Sequence, residues 1–72
     1  MEEKLKKYVR VIATNSYYDL SERYSINEIF NDVIDSNDHN MLKLYDVKNE
    51  PIYIRASMIE AIEVITERYL IR

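Results

Sequence analysis

Ser57-Met-Ile-Glu-Ala-Ile-Glu-Val-Ile-Thr-Glu-Arg-Tyr-Leu-Ile71 is the stretch on which the fold turns, because its apolar residues satisfy two periods at once. Wound as a helix, it opens on a Ser57-Met-Ile-Glu60 capping box and gathers Met58, Ala61, Ile62, Ile65 and Tyr69 on one side, flanked by Ile59 and Thr66. Glu60, Glu63 and Glu67 then lie opposite as a solvated stripe. Val64 and Ile71 fall on this polar side, where they are either frayed or exposed or mark a contact with another subunit. The competing reading is a strand through 62–66. The capping box favours the helix, and the helical reading sets the expected fold.

Working backwards, residues 41–56 read as a β-hairpin. Met41, Lys43, Tyr45 and Val47 alternate with Leu42, Leu44 and Asp46, and Ile52-Tyr-Ile-Arg55 follows after Lys48-Asn-Glu-Pro51. The chain has no glycine, so Asn49 is the residue best able to take the left-handed conformation of the turn, and Pro51 suits the start of an edge strand. Tyr45 and Tyr53 are expected to face each other across the hairpin. The run from Met41 to Glu60 resembles the hairpin and following helix of LytTR-type DNA-binding domains, and Tyr69-Leu-Ile-Arg72 resembles the start of their next strand. The same stretch is similar to small flagellar FlbD-like proteins, through an alternating hairpin followed by an Ile-x-x-Ile pair. These resemblances imply a helix after the hairpin and assign no functional residue.

Ser25-Ile-Asn-Glu28 is a second capping box, and Ile26, Ile29, Phe30, Val33 and Ile34 occupy the i, i+3, i+4, i+7 and i+8 positions of one helical face. A helix over 25–35 follows, ended by the turn-forming run Asp35-Ser-Asn-Asp-His-Asn40. Tyr8-Val-Arg-Val-Ile-Ala-Thr14 has strong strand propensity, although Leu5, Tyr8, Val9 and Ile12 also fit a helix supported by Glu2–Lys6 and Glu3–Lys7 pairs. A strand here would cover an edge of the hairpin. The expected architecture of the single domain 1–72 is therefore α+β, in the order β-α-β-β-α, a three-stranded antiparallel sheet with two helices on one face. If the first segment is helical, the alternative is helices plus a hairpin. Residues 15–24 are left as a long connection.

A 72-residue chain buries only about 60% of the surface its unfolded form exposes, so its core is small. With no cysteine, the chain cannot close a disulfide, and thiolate zinc sites and cysteine nucleophiles are excluded. The missing glycines also exclude the glycine-rich phosphate cradles of nucleotide-binding loops. An apolar fraction of 47% with 32% charged residues is that of a globular chain. Abundant Ile, Tyr and Asn match AT-rich coding sequence and suggest a phage, another mobile element or an AT-rich bacterium. No apolar run reaches the roughly 18 residues that span a bilayer, and no signal-peptide pattern is present, so a cytoplasmic location is expected.

No catalytic set emerges, and neither a cofactor nor a metal is expected. His39 is the single histidine and sits in a polar loop. Asp35-x-Asn37-x-His39 departs from a calcium loop at Asn40, where glycine is required. Ser25 and Ser57 are capping residues. The net charge of −3 is unevenly spread: Lys4, Lys6, Lys7 and Arg10 outweigh Glu2 and Glu3, whereas Asp19, Glu22, Glu28, Asp32, Asp35 and Asp38 face Arg23 alone. Tyr17, Tyr18 and Tyr24 lie beside this acidic middle. Tyrosine buries a large area while tolerating a wet hydroxyl, so the cluster reads either as a rim of the core or as an interface. The favoured function is non-catalytic binding of another protein through Tyr17, Tyr18, Tyr24, Asp32 and Asp35. Self-association through Val64 and Ile71 accompanies it. The alternative is a nucleic-acid-binding regulator, with Lys4, Lys6, Lys7 and Arg10 on phosphates and the hairpin as a wing.

Overall fold

The computed structural model describes residues 2–36 and 40–71, with the side chains of Glu2 and of residues 69–71 left aside; His39 lies outside the described residues. The element order is β1 (Glu2–Ala13), β2 (Tyr17–Asp19), α1 (Ile26–Asp35), β3 (Met41–Tyr45), β4 (Pro51–Arg55), a 3-10 turn (Ala56–Met58) and β5 (Ile59–Ile71). One antiparallel sheet has the order β2-β1-β5, and β3 and β4 form a separate two-stranded sheet. The protein is α+β, with a single helix among its described residues.

This overturns the three-stranded sheet with two helices. Residues 59–71 are a strand, and β1 pairs with β5 and β2 instead of covering the hairpin. The reason is nonlocal. The β-branched Ile59, Ile62, Val64, Ile65, Thr66 and Ile71 suit a pleated surface, and the strand's partner β1 lies at the opposite end of the chain. Its register sets Lys6 opposite Glu67 and Arg10 opposite Glu63, so opposite charges meet along the ribbon. Those pairs outweigh the local helix propensity of Met, Glu, Ala and Arg. The helix implied by the resemblance to LytTR-type and FlbD-like proteins is absent from this stretch for the same reason. Ser57 lies inside the 3-10 turn, which has no side-chain cap.

The strand reading of the first segment agrees with the structure, and β1 runs back to Glu2. The first capping box also forms a helix: the Glu28 amide donates to Ser25 Oγ at 3.2 Å, and α1 begins at Ile26. At its other end the Ser36 hydroxyl donates to the Val33 carbonyl at 2.8 Å. The hairpin closes through Asp46, whose Oδ1 accepts from the Lys48 and Glu50 amides, both at 2.9 Å. Asn49 takes φ 62°, the left-handed value expected of it.

Val9 and Val11 of β1, Leu20, Ile29 of α1, Leu44 of β3 and Ile54 of β4 form the buried core. Leu42 and Leu44 lie opposite Ile54 and Ile52, so the hairpin's inner face packs on the same core. Residues 19–21 stitch the two sheets. The Leu20 amide donates to the Val9 carbonyl at 2.9 Å, the Ser21 amide to the Tyr45 carbonyl at 2.9 Å, and the Val47 amide to the Asp19 carbonyl at 3.2 Å. What the sequence presents as a long connection is therefore a short strand and a seam. No described helix is long and apolar enough to cross a membrane.

Candidate functional site

Three elements converge on Tyr18. Strand β2 exists because its backbone pairs with Arg10, Val11 and Ile12, and this pairing puts Tyr18 opposite the buried Val11 while Tyr17 stands opposite Ile12 on the other face. Tyr18 is half-buried against the core and Tyr17 is exposed. On one side of Tyr18 is a cleft of about 270 Å³, walled by Ala13, Met41, Tyr53, Ile54, Met58 and the cationic Arg55. Met41 and Tyr53 come from the outer face of the hairpin and Met58 from the 3-10 turn, and all three are exposed. The Thr14 amide donates to the Met58 carbonyl at 3.0 Å, tying the turn to the end of β1. On the other side lies a shallow recess lined by Tyr17, Asp19, Asp46, Val47 and Glu50, with Lys48 as its single cation.

The charges around this surface are partly committed. Arg10 holds Asp19 with both arms, Nε to Oδ1 at 2.6 Å and Nη2 to Oδ2 at 3.2 Å, and its guanidinium lies 4.3 Å from the centre of the Tyr17 ring. The bond to Asp19 keeps the guanidinium charged well above its ordinary range. Tyr17 is thus oriented by a cation that is itself fixed by β2. On the hairpin, Tyr53 stands opposite Lys43, not opposite Tyr45; Tyr45 occupies the diagonal. A hydrogen bond to the Tyr45 hydroxyl, and then the charges of the Tyr45 and Tyr53 phenols, raise the Lys43 ammonium above its usual pKa.

The five residues expected to form one partner surface are divided. Tyr17 and Tyr18 line the site. Tyr24 packs against the core, and its hydroxyl accepts from the Tyr45 amide at 3.1 Å, which gives that tyrosine a structural task. Asp32 and Asp35 are exposed on α1 and line neither the cleft nor the recess. Val64 is exposed, but as part of β5, and Ile71 is paired with Glu2 along the ribbon, its side chain outside the described set. Met41, Met58 and Tyr53 join the site without being among the residues the sequence singles out. The sequence holds a signal for two of them, since Met41 and Tyr53 are apolar residues in the outward phase of the hairpin. Met58 carries none, because the strand that follows it is legible only through β1.

No protein-family model matches the chain, and neither does any curated protein or solved structure. The chemistry must be read from the geometry alone. Among the described residues no group of three or more His, Asp or Glu side chains is placed to hold a metal ion. The basic N-terminal set is also partly spoken for: Lys6 lies 3.6 Å from Glu22, and Arg10 is bound to Asp19. Lys4 and Lys7 are exposed on the ribbon.

Proposed function

We propose that this is a small, non-catalytic interaction protein that binds another protein through the surface centred on Tyr18. The observation that carries the reading is the gathering of exposed Met41, Tyr53 and Met58 around one cleft, beside an acidic recess that exposed Tyr17 lines. At about 270 Å³ the cleft falls below the roughly 300–1,000 Å³ of small-molecule sites and suits one inserted side chain. Methionine adapts its shape to such a guest, and tyrosine supplies rigid area with a hydroxyl that stays wet. Asp46 and Glu50 in the adjoining recess, on the side of the cleft away from Arg55, favour a guest flanked by lysine or arginine where it crosses that recess. The partner is therefore a protein segment that presents an apolar side chain with a basic neighbour. Engagement of Lys6 and Arg10 by acidic residues lowers the positive charge on offer to phosphates, which makes nucleic acid the less favoured partner.

Selection from a random peptide display library tests this whatever the partner's identity. Enriched peptides should carry an apolar residue next to Lys or Arg, and Met58→Asp or Tyr53→Ala should weaken them at least tenfold while circular dichroism stays unchanged. Enrichment that ignores both substitutions would overturn the reading.

A further inference from the structure

Strand β5 is the longer of the sheet's two outer strands, and the direction of its free backbone groups follows from one hydrogen bond. The Val9 carbonyl accepts from Leu20, on the β2 side of β1. Alternation then turns Arg10, Tyr8 and Lys6 towards β5, where Glu63, Ile65 and Glu67 receive them. The intervening Ile62, Val64, Thr66 and Arg68 accordingly aim their N–H and C=O groups away from the sheet. Among the described residues no strand meets them. Edge strands are commonly guarded by lysine or proline, and β5 contains neither.

The surface beside this edge is apolar. Val64 lies opposite the buried Val9, on the core face of the sheet, yet is 47% exposed. Phe30 and Ile34 of α1 are 53% and 61% exposed although they belong to the helix's apolar stripe. Phe30 and Val33 share a recess with Ile59, Ala61 and Ile62 at the β5 edge.

We propose that a second copy of this chain covers the edge, through antiparallel β5–β5 pairing about a two-fold axis at Val64. The charge pattern of β5 favours this register over its two neighbours. With Val64 opposite its own copy, Ile62 meets Thr66, Glu63 meets Ile65, Ala61 meets Glu67, and Glu60 comes across from Arg68. Sliding two residues one way sets Glu63 against Glu63 of the copy; sliding two the other way sets Glu63 against Glu67 twice. Like charges placed directly opposite destabilise a ladder, so both neighbours are disfavoured. Arg68 also lies 3.7 Å from Glu3 of its own chain, and a guanidinium has donors enough for both carboxylates. The pairing joins two three-stranded sheets into one and extends the Ile62–Val64 stripe across the axis, where the exposed flank of each α1 gains a neighbour. It stands apart from the cleft reading, which uses other residues.

Cysteine scanning reads the register directly, since the chain has no cysteine of its own. Directly opposed residues in a hydrogen-bonded antiparallel pair lie about 5.5 Å apart at Cα, within disulfide range. Val64→Cys should oxidise to a covalent dimer at least tenfold faster than Glu63→Cys, Ile65→Cys or the hairpin control Val47→Cys. In sedimentation, the native chain should be dimeric at high micromolar concentration, and Val64→Lys should be monomeric with unchanged circular dichroism. A native chain that stays monomeric there, or crosslinking as fast at Val47 as at Val64, would overturn the dimer. Either result would leave the cleft reading intact, because peptide binding at the cleft is measured separately.

Discussion

Ser25 and Ser57 head the same Ser-x-x-Glu pattern, and only one of them caps a helix. Ser25 Oγ accepts from the Glu28 amide; Ser57 is an exposed residue of a 3-10 turn whose exit leads into β5. The two positions should respond differently to one substitution. Ser25→Ala is expected to cost about 1 kcal/mol, as for other N-caps. Ser57→Ala should stay within about 0.5 kcal/mol, the range of ordinary surface changes. Urea denaturation of both variants decides it, and equal losses would contradict the structure at Ser57. Asn49 illustrates the opposite case, a residue whose conformation is legible in isolation. In a glycine-free chain its left-handed backbone is the cheapest means of closing the hairpin.

At the scale of elements, the β1–β5 ribbon is the largest departure from expectation and also the most informative. Tyr8 is buried in it, and its hydroxyl donates to Glu67 Oε1 at 2.6 Å. The bond to Glu67, then burial, then the charge of Asp19 raise the phenol above its ordinary pKa of 10.0. A pKa higher in the folded than in the unfolded chain gives stability that is fully present below about pH 10. That stability is lost as pH climbs through the raised value, because the unfolded tyrosine ionises first. Tyr8→Phe removes the titrating group. The native chain should therefore exceed the variant in stability at pH 7 to 9, and the gap should narrow above pH 10. Denaturation midpoints measured across this range check the sign, and a gap independent of pH would refute the role of the hydroxyl.

Helix α1 tells a related story. Spacing locates its stripe correctly, but only Ile29 of the five apolar residues is fully buried. Periodicity finds a face without saying how much of it the rest of the chain can cover. A three-stranded sheet of which one strand has three residues leaves Phe30 and Ile34 uncovered, and the self-pairing proposed for β5 would relieve that shortage.

Across the whole molecule, two small sheets depend on one seam. Leu20 is fully buried within the core, and it and its neighbours donate or accept across the gap between β1 and the hairpin. Leu20→Ala should cost about 3 kcal/mol through lost transfer energy and cavity formation. Against a typical total of about 5–15 kcal/mol, that is a large fraction. Because the seam serves both sheets, amide exchange in β1 and in β3–β4 should accelerate together. Loss of protection confined to the hairpin would show that the sheets are independent. The long axis of 48 Å against 21 and 20 Å reflects the far end of the ribbon, where Leu5 is exposed beyond the core.

Local rules are enough for α1, the hairpin and the Asn49 turn, since each rests on residues close to one another along the chain; the first segment fits a strand and a helix alike, and its pairing with β2 and β5 is what makes it a strand. Tyr17 and Tyr18 stand out from side-chain chemistry before any fold is known. Residues 57–71 cannot be resolved in that way, because their apolar pattern fits both a helix and a strand, their Ser-x-x-Glu box points to the helix, and only the approach of β1 makes them a strand. The cleft is hidden for the same reason: Tyr18, Met41, Tyr53 and Met58 belong to separate elements, and no spacing along the chain encodes their meeting. Sequence order carries short-range energies such as caps, turns and periodicity. The partners of a strand, and the cavities between elements, come from contacts that exist only once distant segments have packed.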